Sequence, residues 1–158
     1  MTFNYSDVID PGDVIAVGDI HGRADLFYEF LDWVEGSGAR VILLGDLIDR
    51  GPDDLTVLRR TQELLQDPES HGLEGFTVLR GNHEQMLLNA ADGYGWDDWV
   101  RNGGDWENFE QIKPHIKWLS TLPYYVTVGD VLFTHAGCEP GQDPAESMKT
   151  ATLREDFI

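Results

Sequence analysis

The sequence has little cysteine and lacks both long apolar runs and basic residues near its N terminus. Cys138 is the only cysteine, so the chain cannot form an internal disulfide and its fold does not depend on an oxidising compartment. The first 13 residues contain no Lys or Arg, unlike a signal or transit peptide. Apolar runs such as Val41 to Leu44 are far too short to span a membrane. We therefore expect an intracellular, cytoplasmic protein with no membrane partner.

Basic residues are also scarce in the whole chain. The sequence has 11 Lys and Arg residues against 29 Asp and Glu residues, which gives a formal net charge of −18. Because so acidic a surface repels a polyanionic backbone, we exclude nucleic acid as a partner, and any phosphate chemistry must rely on locally placed cations. With 158 residues, of which 41% are hydrophobic, the chain can bury the core of one domain, so disorder is excluded.

Apolar periodicity predicts the order strand, helix, strand, helix, strand in the first half of the chain. One helix is expected through Leu26 to Val34, whose apolar residues share one face, and another from Asp53 to the stop signal at Asp67-Pro68. The strands are short apolar runs that end in glycine-containing loops: Val14 to Val17, Val41 to Leu44 and Phe76 to Leu79. This order is typical of an α/β fold with a buried parallel sheet.

The second half of the chain is organised differently. A short helical segment after Glu84 is followed by a stretch rich in glycine and tryptophan, and a helix is expected from Gln111 to Leu119. Tyr124 to Val128 and Val131 to Thr134 are predicted to be antiparallel strands joined by a tight turn at Gly129-Asp130. We therefore expect a second sheet.

Side chains with the chemistry of metal ligands follow each predicted parallel strand. The carboxyl ends of such strands meet at one crevice, so these loops should converge. Thr134-His135 adds an imidazole at the end of the last strand. Carboxylate, imidazole and amide ligands without thiolate suit Mn, Fe, Zn or Co better than Ca or a structural zinc site. The three loops read Gly18-Asp19-Ile20-His21-Gly22, Gly45-Asp46-Leu47-Ile48-Asp49-Arg50-Gly51 and Gly81-Asn82-His83-Glu84.

Each of these loops alone has an ordinary structural explanation. A single Gly-Asp after a strand is usually a turn, and a single histidine is usually a satisfied or solvent-facing residue. The three loops and His135 occur together, each at a strand end and in this order, which favours a functional site instead.

The three loops resemble the signature of the phosphoprotein phosphatase family of binuclear metallophosphoesterases. His135-Ala136-Gly137 resembles the fourth motif of that family, and Trp99 to Gly104 resembles a stretch of its bacteriophage lambda-type and bacterial serine/threonine protein phosphatase members. The resemblance runs from about Asp13 to the C terminus. It implies a calcineurin-like α/β sandwich of two mixed sheets flanked by helices, formed by residues 1–158 as a single domain.

The same resemblance implies two divalent transition metal ions, with Mn favoured over Fe, Zn and Co. Asp19 and His21 would bind the first ion, Asp46 would bridge both, and Asn82 and His135 would bind the second. A hydroxide bridging the two ions would attack phosphorus directly, with no phosphoenzyme intermediate.

Four further residues take substrate-directed roles by resemblance. His83 would protonate the leaving group as general acid, and Asp49 would orient His83. Arg50 would clamp the phosphate with its planar fork. Arg154 resembles a family arginine aimed at the same phosphate, although a surface helix arginine is the alternative reading of so short a match.

The remaining basic residues near the motifs are expected to be structural. Arg80, directly before Gly81, should brace the loop through a salt bridge rather than touch substrate. His71 and His115 lie in polar surroundings next to Gly72 and Pro114 and are not expected to be catalytic.

The chain departs from the family pattern at its end. Family members have one further histidine ligand for the second metal, in a strand well downstream of Arg154, whereas no histidine follows His135 here. We expect that the sequence is a truncated form lacking the last strands of the second sheet; the alternative is a second metal held by fewer ligands.

Three functions follow from these observations. The first is a metal-dependent phosphomonoesterase of the serine/threonine protein phosphatase type, acting on a phosphorylated protein or small phosphoester. The second is a symmetrically cleaving dinucleoside polyphosphate hydrolase, against which Asp49 argues because such members typically replace it. The third is an inactive phosphate-binding module, because the last metal ligand is missing.

Overall fold

Two small sheets organise the molecule. The computed structural model describes residues 12–139, 141–143 and 146–147. The first sheet is parallel, with the order β1-β2-β3. Its strands are β1 (Val14–Val17), β2 (Arg40–Leu43) and β3 (Gly75–Val78). The three predicted strands are therefore confirmed, with bounds that differ by at most one residue.

Helices connect the parallel strands and cover the sheet. The six α-helices of the described residues are α1 (Ala24–Val34), α2 (Asp54–Gln66), α3 (Asn82–Ala91), α4 (Trp96–Arg101), α5 (Phe109–Ile112) and α6 (Ile116–Leu119). Helix α1 connects β1 to β2, and α2 connects β2 to β3, because parallel neighbours need a crossover. Asp53 caps α2 by accepting a hydrogen bond from the backbone N–H of Thr56. Both predicted helices of the first half are confirmed.

The helix expected from Gln111 to Leu119 is interrupted in the structure. The segment forms α5, a turn of 3-10 helix at Lys113–His115, and then α6. Pro114 explains the interruption, because proline has no backbone N–H to donate and restricts the residue before it. The prediction was correct about helical character and wrong about continuity.

The second sheet is an antiparallel hairpin of β4 (Tyr125–Val128) and β5 (Val131–Thr134). This confirms the predicted hairpin and its turn at Gly129-Asp130. Within the described residues the first sheet is wholly parallel and the second wholly antiparallel. Among the described helices, none combines the length and the apolar character needed to cross a bilayer.

The central strand β2 is the best buried part of the sheet. Val41, Ile42 and Leu43 have no exposed surface, and the apolar faces of α1 and α2 pack against the same core. Because three consecutive residues are buried, both faces of the sheet are covered, as expected for an α/β fold. The core therefore fixes the carboxyl ends of the strands, and the functional loops begin there.

Candidate active site

The loops that follow β1, β2, β3 and β5 meet at one place, as predicted. His21 Nε2 lies 3.5 Å from Asp19 Oδ2 and 3.9 Å from Asp46 Oδ2. His135 Nε2 lies 2.9 Å from Asn82 Oδ1 and 3.5 Å from the same Asp46 oxygen. The structure thus brings together all five residues that the resemblance identifies as metal ligands, with Asp46 between the two histidines. Their roles stay predictions.

Both histidines turn the same nitrogen toward Asp46. His21 Nδ1 lies 2.9 Å from the carbonyl oxygen of Ile48, and His135 Nδ1 lies 3.1 Å from that of Leu44. A carbonyl can only accept, so each Nδ1 carries a proton and each Nε2 faces the Asp46 carboxylate. A histidine held in this way presents Nε2 to a metal ion.

This donor set fits divalent metal ions. Ligand atoms of Asp19, Asp46 and His135 lie within 4.8 Å of one another, and so do those of His21, Asp46 and His83. Metal-binding histidines commonly donate their second N–H to a carbonyl, as His21 and His135 do here. Carboxylate, imidazole and the amide oxygen of Asn82 suit Mn, Fe, Zn or Co.

The main chain holds Asp46 in place. Its Oδ1 accepts a hydrogen bond of 3.0 Å from the N–H of His83, in the first turn of α3, which leaves Oδ2 for the two histidines. Gly81 is needed beside it, because a Cβ at that position would lie 2.1 Å from Asp46 Oδ1. The close contact between the second and third loops therefore depends on a glycine.

Glu84 is a structural centre of the site that sequence reasoning left without a role. Its fully buried carboxylate accepts three backbone N–H bonds, of 2.9 Å from Asp46 and 2.8 Å each from Leu47 and Gly81. Burial raises the pKa of Glu84, and these bonds oppose that rise. An available signal was its spacing, since a Glu three residues after an N-cap residue can accept from the N-cap backbone N–H, as Glu84 does from Gly81.

His83 and Asp49 form a buried pair beside the ligand cluster. His83 Nδ1 lies 2.8 Å from Asp49 Oδ2, and both side chains are 0% exposed. His83 Nε2 has no hydrogen-bond partner among the described residues. Because Nδ1 is held by Asp49, Nε2 is the atom available for a ligand or a proton.

Burial disfavours charge on both members of this pair. It lowers the pKa of His83 to about 4, an effect that the charge of Asp46 opposes. Burial also raises the pKa of Asp49 to about 7, against a hydrogen bond from Trp99 and the charges of His21 and Arg50. Perturbed pairs of this kind are typical of functional sites.

Arg50 lies at the mouth of the site. Its Nη1 is 3.2 Å from His21 Nε2, and its Nε donates to the carbonyl of Asn102 at 3.3 Å. The guanidinium is therefore a local cation at the ligand cluster, as required on so acidic a protein. Arg154, the second predicted phosphate-binding residue, lies outside the described residues.

The loops of the site carry backbone strain. Four non-glycine residues in the described part of the chain have positive φ, and all four belong to these loops. They are His21 (47°), Asp46 (53°), Asp49 (70°) and Arg50 (68°). Left-handed conformations are costly for such residues and cluster at functional sites.

Arg80 braces its loop differently from the expectation. Among the described residues its partners are neutral: Nη1 donates at 3.0 Å to both Gln85 Oε1 and the Tyr124 hydroxyl, and Nη2 donates to the Ser120 carbonyl. The guanidinium also lies 4.8 Å from the centre of the Tyr124 ring. Among the described residues the expected salt bridge is therefore not formed, because the loop meets the chain before β4, which presents carbonyl and phenol groups there.

The remaining histidines have partners elsewhere. His71 Nδ1 lies 3.7 Å from Glu35 Oε2, and His115 Nδ1 lies 2.7 Å from Gln62 Oε1. Neither has a contact with the ligand cluster among the described residues, and their non-catalytic role stays a prediction.

Comparison with known proteins agrees with this geometry. A family model described as calcineurin-like phosphoesterase matches residues 12–154. Serine/threonine-protein phosphatase 1 of Salmonella typhimurium is 39% identical over 95 residues, which are 59% of this chain and 39% of that protein. The symmetrical bis(5'-nucleosyl)-tetraphosphatase of Nitrosospira multiformis is 30% identical over 150 residues, 92% of this chain and 50% of that protein.

A similar structure extends the comparison to the fold. The cold-active protein-tyrosine phosphatase of a psychrophilic Shewanella species superposes with a TM-score of 0.62 at 24% identity, over 84% of this chain and 45% of that one. The chain spans at most about half the length of the curated relatives it matches here. The family match over most of the chain confirms the metallophosphoesterase resemblance and its fold.

Proposed function

Because this chain belongs to the calcineurin-like phosphoesterase family, we propose that it is a metal-dependent phosphomonoesterase of the serine/threonine protein phosphatase type. The observation that carries the proposal is the buried His83–Asp49 pair, with Nε2 of His83 free of described partners beside the ligand cluster. A histidine held in this way is suited to protonate the oxygen of a leaving alcohol.

Two divalent ions would be held by the cluster around Asp46. Asp19, His21 and Asp46 would hold one ion, and Asp46, Asn82 and His135 the other, with Mn the first ion to test. Bound there, the ions would supply Lewis-acid stabilisation of the phosphoryl charge and lower the pKa of a bound water.

The protein's own groups would bind the phosphate and move one proton. Arg50 would bind phosphate oxygens through its planar fork, which fits them better than a lysine would. The negative charge of a bound phosphate, like that of Asp46, would raise the pKa of His83 against the effect of burial, so that Nε2 can carry a proton. His83 would give that proton to the leaving oxygen as its bond to phosphorus breaks, while Asp49 keeps the ring in the donating orientation. The acidic surface favours basic or neutral phosphopeptides as substrates.

The test is turnover and metal content of this chain, with and without Mn. Phosphoserine peptide and aryl phosphate hydrolysis should require Mn and should be lost in His83→Asn, while His83→Asn keeps about two metals per chain. His115→Asn, a histidine bonded to Gln62 instead, is the matched control. Unchanged turnover in His83→Asn would refute the proposed acid, and loss of metal from it would make His83 a ligand.

A dinucleoside polyphosphate hydrolase is the second candidate. It is supported by the similarity to the Nitrosospira multiformis protein, which extends over 92% of this chain. The buried Asp49–His83 pair supports the phosphomonoesterase instead. Release of nucleoside diphosphate from diadenosine tetraphosphate, at a higher kcat/KM than phosphopeptide hydrolysis, would select this second function.

A further inference from the structure

A buried tryptophan contacts the catalytic pair from outside the motif loops. Trp99, in α4, has no exposed surface, and its Nε1 lies 3.0 Å from both Oδ1 and Oδ2 of Asp49. A buried indole N–H needs an acceptor, and a buried carboxylate needs donors. Each group therefore satisfies the other across 50 positions of sequence.

The bond from Trp99 completes the orientation of Asp49. The contact with His83 Nδ1 engages only Oδ2, so by itself it leaves the plane of the carboxylate free to turn. The indole N–H reaches both oxygens and removes that freedom. The backbone of Asp49 is fixed as well, because its N–H donates to Asp54 Oδ1 at 2.9 Å.

The indole itself is held in position by its surroundings. A Cβ on Gly104 would lie 2.3–2.5 Å from atoms of the indole, including Nε1, so the backbone there passes directly against the N–H edge. Trp96 and Phe109 contact the ring edge to face, with centroid distances of 5.2 and 5.9 Å. The N–H of Trp99 therefore has one available direction, toward Asp49.

The same segment also holds the phosphate clamp. The carbonyl of Gly103 accepts a 3.0 Å bond from the N–H of Arg50, and the carbonyl of Asn102 accepts from Arg50 Nε. Residues 99–104 thus contact two neighbouring functional residues, Asp49 through a side chain and Arg50 through the backbone.

We propose that Trp99 is a positioning residue, whose indole N–H fixes the Asp49 carboxylate so that His83 keeps its Nε2 directed at the leaving group. The described hydrogen bonds of the Trp99 side chain are with Asp49, so it would act through Asp49. The inference rests on the proposed phosphomonoesterase function, because it concerns the general acid of that reaction.

The kinetic test compares leaving groups in Trp99→Phe, which keeps an aromatic ring and removes the N–H. Phenyl phosphate has a poor leaving group that needs a proton, and its kcat should fall by about 10–100-fold, part of what general acid catalysis supplies. 2,4-Dinitrophenyl phosphate leaves as a stable anion, so its kcat should change by less than about threefold. An equal loss on both substrates would mean a merely structural role and would overturn the proposal.

Trp106→Phe is the matched control. It makes the same change of side chain at a tryptophan that is 62% exposed. It should hydrolyse both substrates at the wild-type rate. A selective loss on phenyl phosphate in Trp106→Phe would show that the effect does not come from the N–H of Trp99 and would overturn the proposal.

A second measurement needs no turnover and no substitution of Trp99. In the ¹⁵N–¹H spectrum of the wild-type chain, the Trp99 indole N–H should exchange far more slowly than that of Trp106, which is 62% exposed. It should also shift in Asp49→Asn. Exchange as rapid as that of Trp106, or no shift in Asp49→Asn, would overturn the proposal even if Trp99→Phe does not fold.

The two arms separate this inference from the proposed function. If the wild-type chain hydrolyses no phosphomonoester with Mn, the proposed function fails. The ¹⁵N spectrum of the His83 ring in Trp99→Phe then still decides the positioning role. An unchanged His83 tautomer signal overturns it, and a mixture of tautomers supports it.

Discussion

Replacement of Glu84 by glutamine tests whether this carboxylate is the structural centre of the site. In the structure Oε2 accepts from the N–H groups of Asp46 and Gly81, and Oε1 accepts from that of Leu47. Glutamine has one acceptor oxygen and one NH₂ donor. With its oxygen at the Oε2 position it keeps two bonds, but its amide then opposes the N–H of Leu47, so two buried donors face each other.

The magnitude follows from the bonds that change. Losing one charge-assisted bond costs about 1.5–3 kcal/mol, and leaving a buried donor unsatisfied costs about 1–3 kcal/mol more. The substitution also removes a buried charge, whose desolvation raises the pKa of Glu84, and this offsets part of the loss. We expect Glu84→Gln to lower the free energy of unfolding by about 2–4 kcal/mol.

Urea unfolding of the metal-free chain measures this difference. Glu110→Gln is the matched control, because Glu110 is exposed and pairs only with Lys113 among the described ion pairs, at 3.2 Å. It should change the free energy of unfolding by less than about 0.5 kcal/mol. If Glu84→Gln lowers stability by less than about 1 kcal/mol, three backbone bonds to Glu84 do not organise the site, and the reasoning is refuted.

Three further outcomes are expected. Asp46→Asn should lower metal content from about two ions per chain to one or fewer. The control Asp25→Asn, which changes an exposed partner of Arg23, should keep both ions. Equal metal content in the two variants would contradict the bridging role of Asp46. Arg50→Lys should lower kcat/KM for aryl phosphate by roughly tenfold or more, because lysine lacks the planar fork, and an unchanged value would remove Arg50 from phosphate binding. Burial and the neighbouring Asp49 raise the pKa of Asp54 to about 7, so its unfolded carboxyl ionises near pH 4 while the folded one keeps its proton. The protonated Asp54 carboxyl therefore contributes to the free energy of unfolding fully below about pH 4, and this contribution is lost as the pH rises through 7. Between pH 4 and 8, the free energy of unfolding of metal-free Asp54→Asn should therefore fall less than that of the wild type. A difference in urea midpoint between the two proteins that stays the same at each pH would contradict that sign.

The sequence predicts the parallel sheet and its helices well because local patterns determine them. Val14–Val17 and its neighbours are short apolar runs between turn residues, and α1 has a single apolar face. The interrupted helix around Pro114 shows the limit of periodicity, which marks helical character but not where hydrogen bonding is lost. The proline was visible, so the break was available to sequence reasoning.

The candidate site, too, could be predicted only in part from the sequence. Its ligand types could be predicted because each follows a strand, and strand ends converge by topology. The contacts that hold the site together could not be predicted, because they join residues that lie far apart in the sequence. Glu84 binds the N–H of Leu47, and Trp99 binds Asp49, with no periodic signal that relates the members of either pair.

Hydrogen bonds to buried carboxylates explain how the strained loops persist. The N–H groups of Asp46 and Asp49, both with positive φ, donate to the buried carboxylates of Glu84 and Asp54. Such conformations persist only where surrounding bonds over-determine them. The scaffold therefore places the acidic Glu84 next to the Asp46 carboxylate, and burial raises the pKa of both groups. Cations bound at Asp46 would relieve this accumulation of charge, so metal affinity and folding stability are linked through the same carboxylates.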